Sequence, residues 1–359
     1  MHNGNKAKTA SLMVLLLSVF LLSALAGAQF VNKTSGEEIG DTFSIMHIAD
    51  TQYISKDYPQ LFYDTTAWIV NNSANYNLKM VVHTGDIINY NATQSVMDSE
   101  WACANASMSA LLNAGIPYVF CTGNQDVKPY YNPNGNMTGD SYLAFNMSYL
   151  RSKSYWVDDF NSKNTAVKFT VNNFTFLIVS IEFAATAPTL AWMRGVLDAN
   201  QDCNIIVAAH MYLNQYANYS NPLTPFADWG NNFKTILEGY PNVFLTLSGH
   251  YGEVDVGSNM TRVGNREEIF FDRSNMNGFQ GGASVRIYTF NLTSKIVSVS
   301  TYALDTQTWL TDAYNQFSFD ASINLPEGLT FAVMMIVSAV AVILGTRYFR
   351  KREKPVTYV

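Results

Sequence analysis

Charge is scarce in this sequence. Only 14% of its 359 residues are Asp, Glu, Lys or Arg, against about a quarter in an ordinary soluble domain, so something other than side-chain charge keeps the surface polar. Cations are the scarcer sign, 22 Lys and Arg against 28 Asp and Glu. The net charge of −6 and the pI near 5.4 exclude the broad basic footprint of a nucleic-acid-binding surface, and no stable nucleic-acid partner is expected. Cysteine is nearly absent. Cys103, Cys121 and Cys203 are too few for a disulfide scaffold, so the fold must stand on its core. One disulfide is allowed, three cysteines leave at least one odd, and the pairing stays open. What is abundant is apolar matter: 48% of residues are hydrophobic and 14% aromatic. The length suits one large domain or two ordinary ones.

The two ends point to a compartment. Lys6 and Lys8 precede an apolar run from Leu12 to Leu25, and Ala26-Gly27-Ala28 comes next, before Gln29. A charged start, an apolar run and a small-residue cleavage site predict a signal peptide over 1–28. Near the other end, Leu329 to Thr346 holds no charge over 18 residues, which at about 1.5 Å per residue nearly crosses a hydrocarbon core of about 30 Å. A transmembrane helix is therefore predicted over 327–346. Arg347, Arg350, Lys351 and Arg352, with Tyr348 and Phe349 among them, form a basic cytoplasmic tail over 347–359 with an aromatic interfacial anchor. The expected organisation is a domain over 29–310, a polar stalk over 311–326 and one C-terminal span, with the domain extracellular. The tail is also similar to archaeal surface-sorting tails that are cut and exchanged for a lipid anchor.

Sequons agree with that placement. Asn-x-Ser/Thr begins at Asn32, Asn71, Asn91, Asn105, Asn136, Asn146, Asn173, Asn218, Asn259 and Asn291. N-glycans at some of them would explain how so uncharged a surface stays soluble.

Between the ends, apolar runs alternate with helical stretches, the pattern of an α/β domain. Strands are predicted at Phe43–Ala49, Met80–His83, Ile116–Cys121, Phe174–Ile181, Asn204–Ala209 and Val243–Leu247, each short and rich in Val, Ile or Phe. Helices are predicted at 59–75, 95–114, 188–199 and 225–239, with proline near three of the starts as helix punctuation requires. Ser284–Phe290 and Ile296–Ala303 read as a closing hairpin.

The informative residues sit just past the strands. Asp50-Thr51-Gln52, Gly85-Asp86, Gly123-Asn124-Gln125-Asp126, His210 and Gly249-His250 each come directly after an apolar run. In open α/β sheets ligands bind at the carboxyl ends of the strands, and two Asp, one Asn and two His gathered there are a donor set for divalent metal. Asp after a strand is also a common helix cap, and a lone His is more often a bonded core residue. The joint order is what carries weight.

That order resembles the calcineurin-like metallophosphoesterase superfamily, whose pattern is D-x-H, GD, GNH-D/E, H and GH-x-H, over roughly residues 43–304. Asp50-Thr51-Gln52 looks like a branch with D-T-Q in the first motif. The resemblance implies an α/β, four-layer sandwich of two mixed β-sheets flanked by helices. It implies two divalent metal ions (Mn, Mg, Fe, Zn or Ca) sharing Asp86, and a metal-bound hydroxide that attacks a phosphomonoester or phosphodiester, such as a small molecule or nucleotide. By the same resemblance Asp86, Asn124, His210 and His250 complete one metal position, while Asp50, Gln52 and Asp86 are what is left of the other. Asp86, Asn124 and Gln125 take the catalytic roles.

Three positions depart from the pattern. Gln52 replaces the first histidine, Gly252 stands where the last one falls, and Gln125 replaces the histidine of GNH. The first two leave an oxygen-only set that suits Mn²⁺, Mg²⁺ or Ca²⁺ better than Zn²⁺, with Glu253 close in sequence as a stand-in. The third removes a proton donor, and general acid catalysis supplies ~10²–10⁴-fold. These losses motivate a competing reading, a non-catalytic cell-surface binding or structural protein on the same fold. His47 and His83 lie three residues before ligand aspartates and, by strand alternation, face away from them; both read as structural. The aromatics and cations of 127–160, and Arg262, Arg266 and Arg273 of 251–283, read either as a base-stacking, phosphate-holding rim or as packing at the domain edge.

Overall fold

The computed structural model describes residues 41–324, apart from 91–92, 129–135, 138–142, 220–228, 253–256 and 276–281, and a few isolated positions within 338–343. The chain divides into two compact units, Gly40–Asn324 and one formed by the terminal segments Met1–Ile39 and Leu325–Val359. The expected signal peptide, the basic tail and nearly all of the expected transmembrane span lie outside the described residues, as does Glu253. Among the described residues no helix is long and apolar enough to cross a membrane.

In chain order the larger unit carries β1 (Thr42–Ile48), α1 (Gln52–Lys56), α2 (Pro59–Asn72), β2 (Leu78–His83), α3 (Gln94–Asn113) and β3 (Tyr118–Phe120). Next come β4 (Val127–Lys128), β5 (Asn136–Met137), α4 (Met147–Arg151), β6 (Trp156–Phe160), β7 (Asn164–Val171), β8 (Phe174–Ile181), α5 (Ala187–Asp198), β9 (Asn204–Ala209) and α6 (Trp229–Glu238). The unit closes with β10 (Val243–Ser248), β11 (Ser258–Val263), β12 (Arg266–Phe271), β13 (Ser284–Asn291), β14 (Ile296–Ala303), β15 (Thr308–Leu310) and β16 (Phe317–Asp320).

Two mixed sheets result. One runs β15-β14-β13-β1-β2-β3, with β16 also on β14; the other runs β11-β12-β10-β9-β8-β7-β6. In the first, β1, β2 and β3 are parallel. In the second, β8, β9, β10 and β12 are parallel. Strand alternation builds three separate cores. Phe43 and Ile45 of β1 face an inter-sheet core with Phe176, Ile206 and Leu245, while Met46 and Ile48 turn to the other side to meet Phe62 and Ile69 of α2 and Trp101 of α3. On the far sheet Leu177 and Val179 pack against Met193 and Leu197 of α5 and Phe233 of α6. The layers are therefore helix, sheet, sheet, helix. The helices show why they sit there: α2 buries Phe62, Thr65, Thr66 and Ile69, one face at helical spacing.

Phe174–Ile181 and Asn204–Ala209 form as predicted, and the other four predicted strands form with ends moved by at most two residues. Residues 225–228 of the last predicted helix lie outside the described residues. Two regions differ from expectation. The segment read as a stalk from 311 is part of the folded unit as far as Asn324: β16 pairs with Ile296–Val299 of β14, and Phe319, Ala321 and Ile323 are buried. The period-2 alternation of Phe317, Phe319, Ala321 and Ile323 is what docks it. The segments read as inserts also supply strands, β6 from the first and the β11–β12 hairpin from the second. Phe145 of the first packs edge-on to Trp101 and Phe120, and Trp156 joins the core. Arg266 pairs with Glu268 at 2.8 Å in a buried site, and Arg273 donates to Ser284. Phe145, Trp156, Arg266 and Arg273 are therefore engaged in packing and hydrogen bonds within the domain. The three cysteines are buried and free.

Candidate metal centre

The parallel strands deliver polar groups at their carboxyl ends: Asp50 after β1, Asp86 after β2, Asn124 after β3, His210 after β9, His250 after β10 and Asp272 after β12. Glu182, after β8, is instead taken up by Lys163 at 2.6 Å. Asp50, Asp86 and His250 adopt left-handed backbone angles, with φ of 52°, 48° and 78°. L residues hold that region at a cost of order 1 kcal/mol each, and such residues collect at functional sites. Asp86 is admitted by its neighbour. A Cβ on Gly123 would collide with Asp86 Oδ1 and with its backbone nitrogen, so only glycine lets the two loops approach.

The imidazole side of the centre is defined by one proton. His210 Nδ1 lies 2.8 Å from the carbonyl oxygen of Thr84, which only accepts, so Nδ1 carries the hydrogen. Burial, helped by His250, holds His210 well below the usual histidine range, so the ring is neutral and Nε2 is a bare lone pair. Around that lone pair stand Asn124 Oδ1 at 3.1 Å, His250 Nδ1 at 3.1 Å and Asp86 Oδ1 at 3.4 Å. Burial brings His250 down to about 4, so it too is uncharged at neutral pH. With Nδ1 committed to Thr84, the Nε2 lone pair and the Asn124 and Asp86 oxygens converge on one point. This chemistry fits a divalent metal ion. Asp86, His210 and His250 offer donor atoms all within 4.8 Å of one another.

The oxygen side is set by carboxylates. Asp50 is buried, and the His250 backbone N–H donates to its Oδ1 at 3.1 Å and Oδ2 at 3.2 Å. Burial and then the charges of Asp272 and Asp86 push Asp50 well above the usual carboxylate range. Burial, Asp126 and Asp272 do the same to Asp86. Gln52, on the first turn of α1, is 6% exposed, and its Oε1 has no hydrogen-bond partner. A buried oxygen without a hydrogen-bond partner is compatible with a bound cation.

The shell around these donors is a set of clamps. His47 Nε2 meets Thr84 Oγ1 at 3.0 Å, and His83 Nε2 meets Thr51 Oγ1 at 3.0 Å, so each strand braces the ligand loop of its neighbour. Gly85 N–H donates to His83 Nδ1, which makes Nε2 the protonated nitrogen. Asp126 accepts from the N–H groups of Ile87, Ile88 and Gly123, and Gln125 Oε1 accepts the Tyr90 N–H at 3.0 Å. Gln125 therefore ties down the loop after Asp86 with its oxygen end.

The structure thus gathers Asp86, Asn124, His210 and His250, and sets Asp50 against the His250 backbone. It shows His47 and His83 in bracing roles. Asp272 was missed, although the rule that found the others, a polar group just after a strand, applies to it too. The run Arg266-Glu267-Glu268-Ile269-Phe270-Phe271 hides its strand behind three charges.

The sequence profile of the calcineurin-like phosphoesterase family matches residues 43–251. The uncharacterised protein YvnB of Bacillus subtilis (strain 168) is 30% identical over 300 residues, which is 79% of this chain but 22% of YvnB. The chain thus spans about a fifth of that relative's length. Among solved structures, GAP50, the anchor in the inner membrane complex of Plasmodium, is similar with a TM-score of 0.46 and 10% identity, over 79% of this chain and 89% of that one. TT1561 of Thermus thermophilus is similar with a TM-score of 0.38 and 12% identity, over 76% and 98%. With the profile covering more than half of the sequence and its motifs meeting at the strand ends, the chain belongs to the calcineurin-like phosphoesterase family.

Proposed function

We propose that this chain is an extracellular metal-dependent phosphoesterase that hydrolyses phosphomonoesters or phosphodiesters. The observation that carries the reading is the bare Nε2 of His210 facing Asn124, His250 and Asp86. Asp86, Asn124, His210 and His250 would hold one metal ion, and Asp50, Gln52 and Asp86 would hold a second. Bound there, two divalent ions supply positive charge against the phosphoester oxygens and an activated water.

The chain's own groups do the positioning. Thr84 fixes the tautomer of His210 through its carbonyl, and the His47–Thr84 and His83–Thr51 pairs hold the two aspartate loops in register. Gln125 has an amide nitrogen that donates a hydrogen bond but transfers no proton near neutral pH. Leaving groups that need protonation are therefore disfavoured, and good leaving groups are the substrates of choice. The surface location rests on the signal-like and span-like ends of the sequence. The exposure of Asn71, Asn173 and Asn218, three sequon asparagines open to glycan attachment, agrees with it.

The test is hydrolysis of bis(p-nitrophenyl) phosphate and p-nitrophenyl phosphate by the purified protein with Mn²⁺, Mg²⁺ or EDTA, alongside His250→Ala. Metal-dependent turnover that the variant lacks supports the reading, and the diester to monoester ratio narrows the substrate class. A folded, metal-loaded protein that turns over neither ester points to the binding-protein alternative.

A further inference from the structure

Away from the metal centre, α2 and the β14–β15 hairpin bring a group of rings to the protein surface. Trp68 of α2 stacks on Tyr302 of β14, with centroids 4.9 Å apart and planes 13° from parallel. Trp309 stands opposite Tyr302 on β15, its ring 5.1 Å from Tyr302 and edge-on to Trp68 at 6.1 Å. β15 ends the first sheet, and Trp309 is 45% exposed there. Rings that fix one another have little freedom left to lose when something lands on them.

Asn71 follows Trp68 by nearly one helical turn, which puts their Cβ atoms about 5–6 Å apart. Side chains of a helix lean over the turn before them, so Asn71 reaches towards Trp68 and the exposed Ala67, whose small methyl leaves room. Asn71-Asn72-Ser73 is a sequon. The Asn71 side chain is exposed and forms no hydrogen bond with a described residue. Four other sequon asparagines have theirs in use. Asn105 accepts the Ala144 N–H at 2.7 Å, Asn146 caps α4, Asn259 Nδ2 donates to the Gln215 carbonyl at 2.9 Å, and Asn291 accepts the Thr293 and Ser294 N–H groups.

A pyranose sugar suits this surface. One of its faces is a patch of C–H groups that packs on an aromatic ring while the hydroxyls stay in water. A neutral ligand also suits its charge, since Asp64 is the only charged residue of α2 and β15 has none. We propose that Asn71 is N-glycosylated and that the first sugar of its glycan lies against the Trp68–Tyr302–Trp309 cluster. In the transfer, the C1–oxygen bond of a lipid-linked sugar pyrophosphate breaks and the C1–Nδ2 bond forms. One Nδ2 proton is lost and the lipid pyrophosphate leaves. The inference rests on the extracellular placement proposed above and adds to it one modified residue and the surface its sugar covers.

The experiment compares the full chain made in its native cells with the same chain made in a host that attaches no N-glycans. Glycopeptide mass spectrometry reads occupancy, and thermal unfolding reads the contact. Asn71 carries a glycan in the native chain, and Asn71→Gln lowers the melting temperature of that chain by ~2–4 °C, the size of one good contact in a domain this large. In the unglycosylated chain the same change leaves the melting temperature where it was. Trp309→Ala removes the outer ring of the cluster, and in that background Asn71→Gln costs the glycosylated chain less than ~1 °C, the coupling expected of groups in contact. Should Trp309→Ala fail to fold, the wild type supplies a second readout: sugar C–H resonances moved upfield by the ring currents support the contact, and unshifted ones overturn it. Asn71 bare while Asn173 or Asn218 is glycosylated overturns the proposal alone. No glycan at any sequon overturns it together with the extracellular placement. A glycan on Asn71 whose loss acts equally with and without Trp309 overturns the seat given to the sugar.

Discussion

One side of the candidate metal centre gathers an amide and two imidazoles, Asn124, His210 and His250, against Asp86. The other side holds buried carboxyls, with Asp50 against the His250 backbone and Asp272 against the Gly252 backbone. The imidazole side is neutral before any metal arrives, because burial keeps both rings unprotonated, and its orientation is already fixed by the Thr84 carbonyl. The oxygen side gathers carboxyls whose burial, joined at Asp50 by the neighbouring Asp272 and Asp86 charges, favours the protonated form. Ring nitrogens and a carbonyl orient the first side, and backbone N–H groups orient the carboxyls of the second. A cation bound among those carboxyls would compete with protons, so its affinity is expected to rise with pH.

That contrast can be broken from either side. The largest effect is expected from His250→Ala, which removes an imidazole donor but keeps the backbone N–H that holds Asp50. Metal-dependent kcat/KM should fall by ~10³-fold, about 4 kcal/mol of barrier, while one Mn²⁺ still binds on the oxygen side. Loss of both ions would show that the halves do not act separately. Gln125→His comes next. Restoring a proton donor should raise turnover of alkyl phosphates by ~10²-fold relative to nitrophenyl esters, and equal leaving-group slopes in the two proteins would count against the role given to Gln125.

Gly123→Ala strikes the residue that both halves share. Its methyl would collide with Asp86 Oδ1 and the Asp86 backbone nitrogen, so thermal unfolding should show a loss of ~1–3 kcal/mol and metal counts should fall on both sides together.

The bracing shell responds to acid. Burial depresses His83 to about 3, below the ~6.5 of an unfolded chain. Between those values the unfolded state holds the extra proton, so stability rises with pH through this window and is lost as pH falls below ~6.5. At pH 5 the His83 contribution amounts to about 2 kcal/mol of destabilisation. Asp126, raised to about 6 by burial, acts in the opposite sense: its folded form holds a proton that an unfolded carboxyl at ~3.9 has released, so it favours folding as pH falls from 6 toward 4. Urea unfolding of His83→Gln against the wild type from pH 7 to 5 isolates the first effect. A difference that stays constant over that range would refute it.

The gathering of these polar groups was legible because each is a local feature of the chain. Asp50, Asp86, Asn124, His210 and His250 each follow an apolar run by one to four residues, and alternation along β1 and β2 already turned His47 and His83 away from the ligand side. Asp272 was not legible, because its strand buries Arg266, Glu267 and Glu268. They are tolerated only by partners that propensity does not see: Arg266 on Glu268, and the hydroxyls of Tyr212 and Tyr219 on the same carboxylate. The stalk was misplaced for a related reason. Its alternation of Phe317, Phe319, Ala321 and Ile323 is short, and only the open edge of β14 and the inter-sheet core give it somewhere to go.

The sequence by itself determined six strands and the closing hairpin, the order of the motifs and the three departures from the family's histidines, since strand periodicity, turn residues and side-chain chemistry are local properties. Which carboxylate fills the space above Gly252 was decided by the tertiary structure. Glu253 adjoins that glycine in the chain, and Asp272 lies twenty residues away, yet Asp272 accepts the Gly252 N–H. It does so because β10 and β12 run side by side and parallel, and parallel pairing brings together the ends of strands that the chain keeps apart.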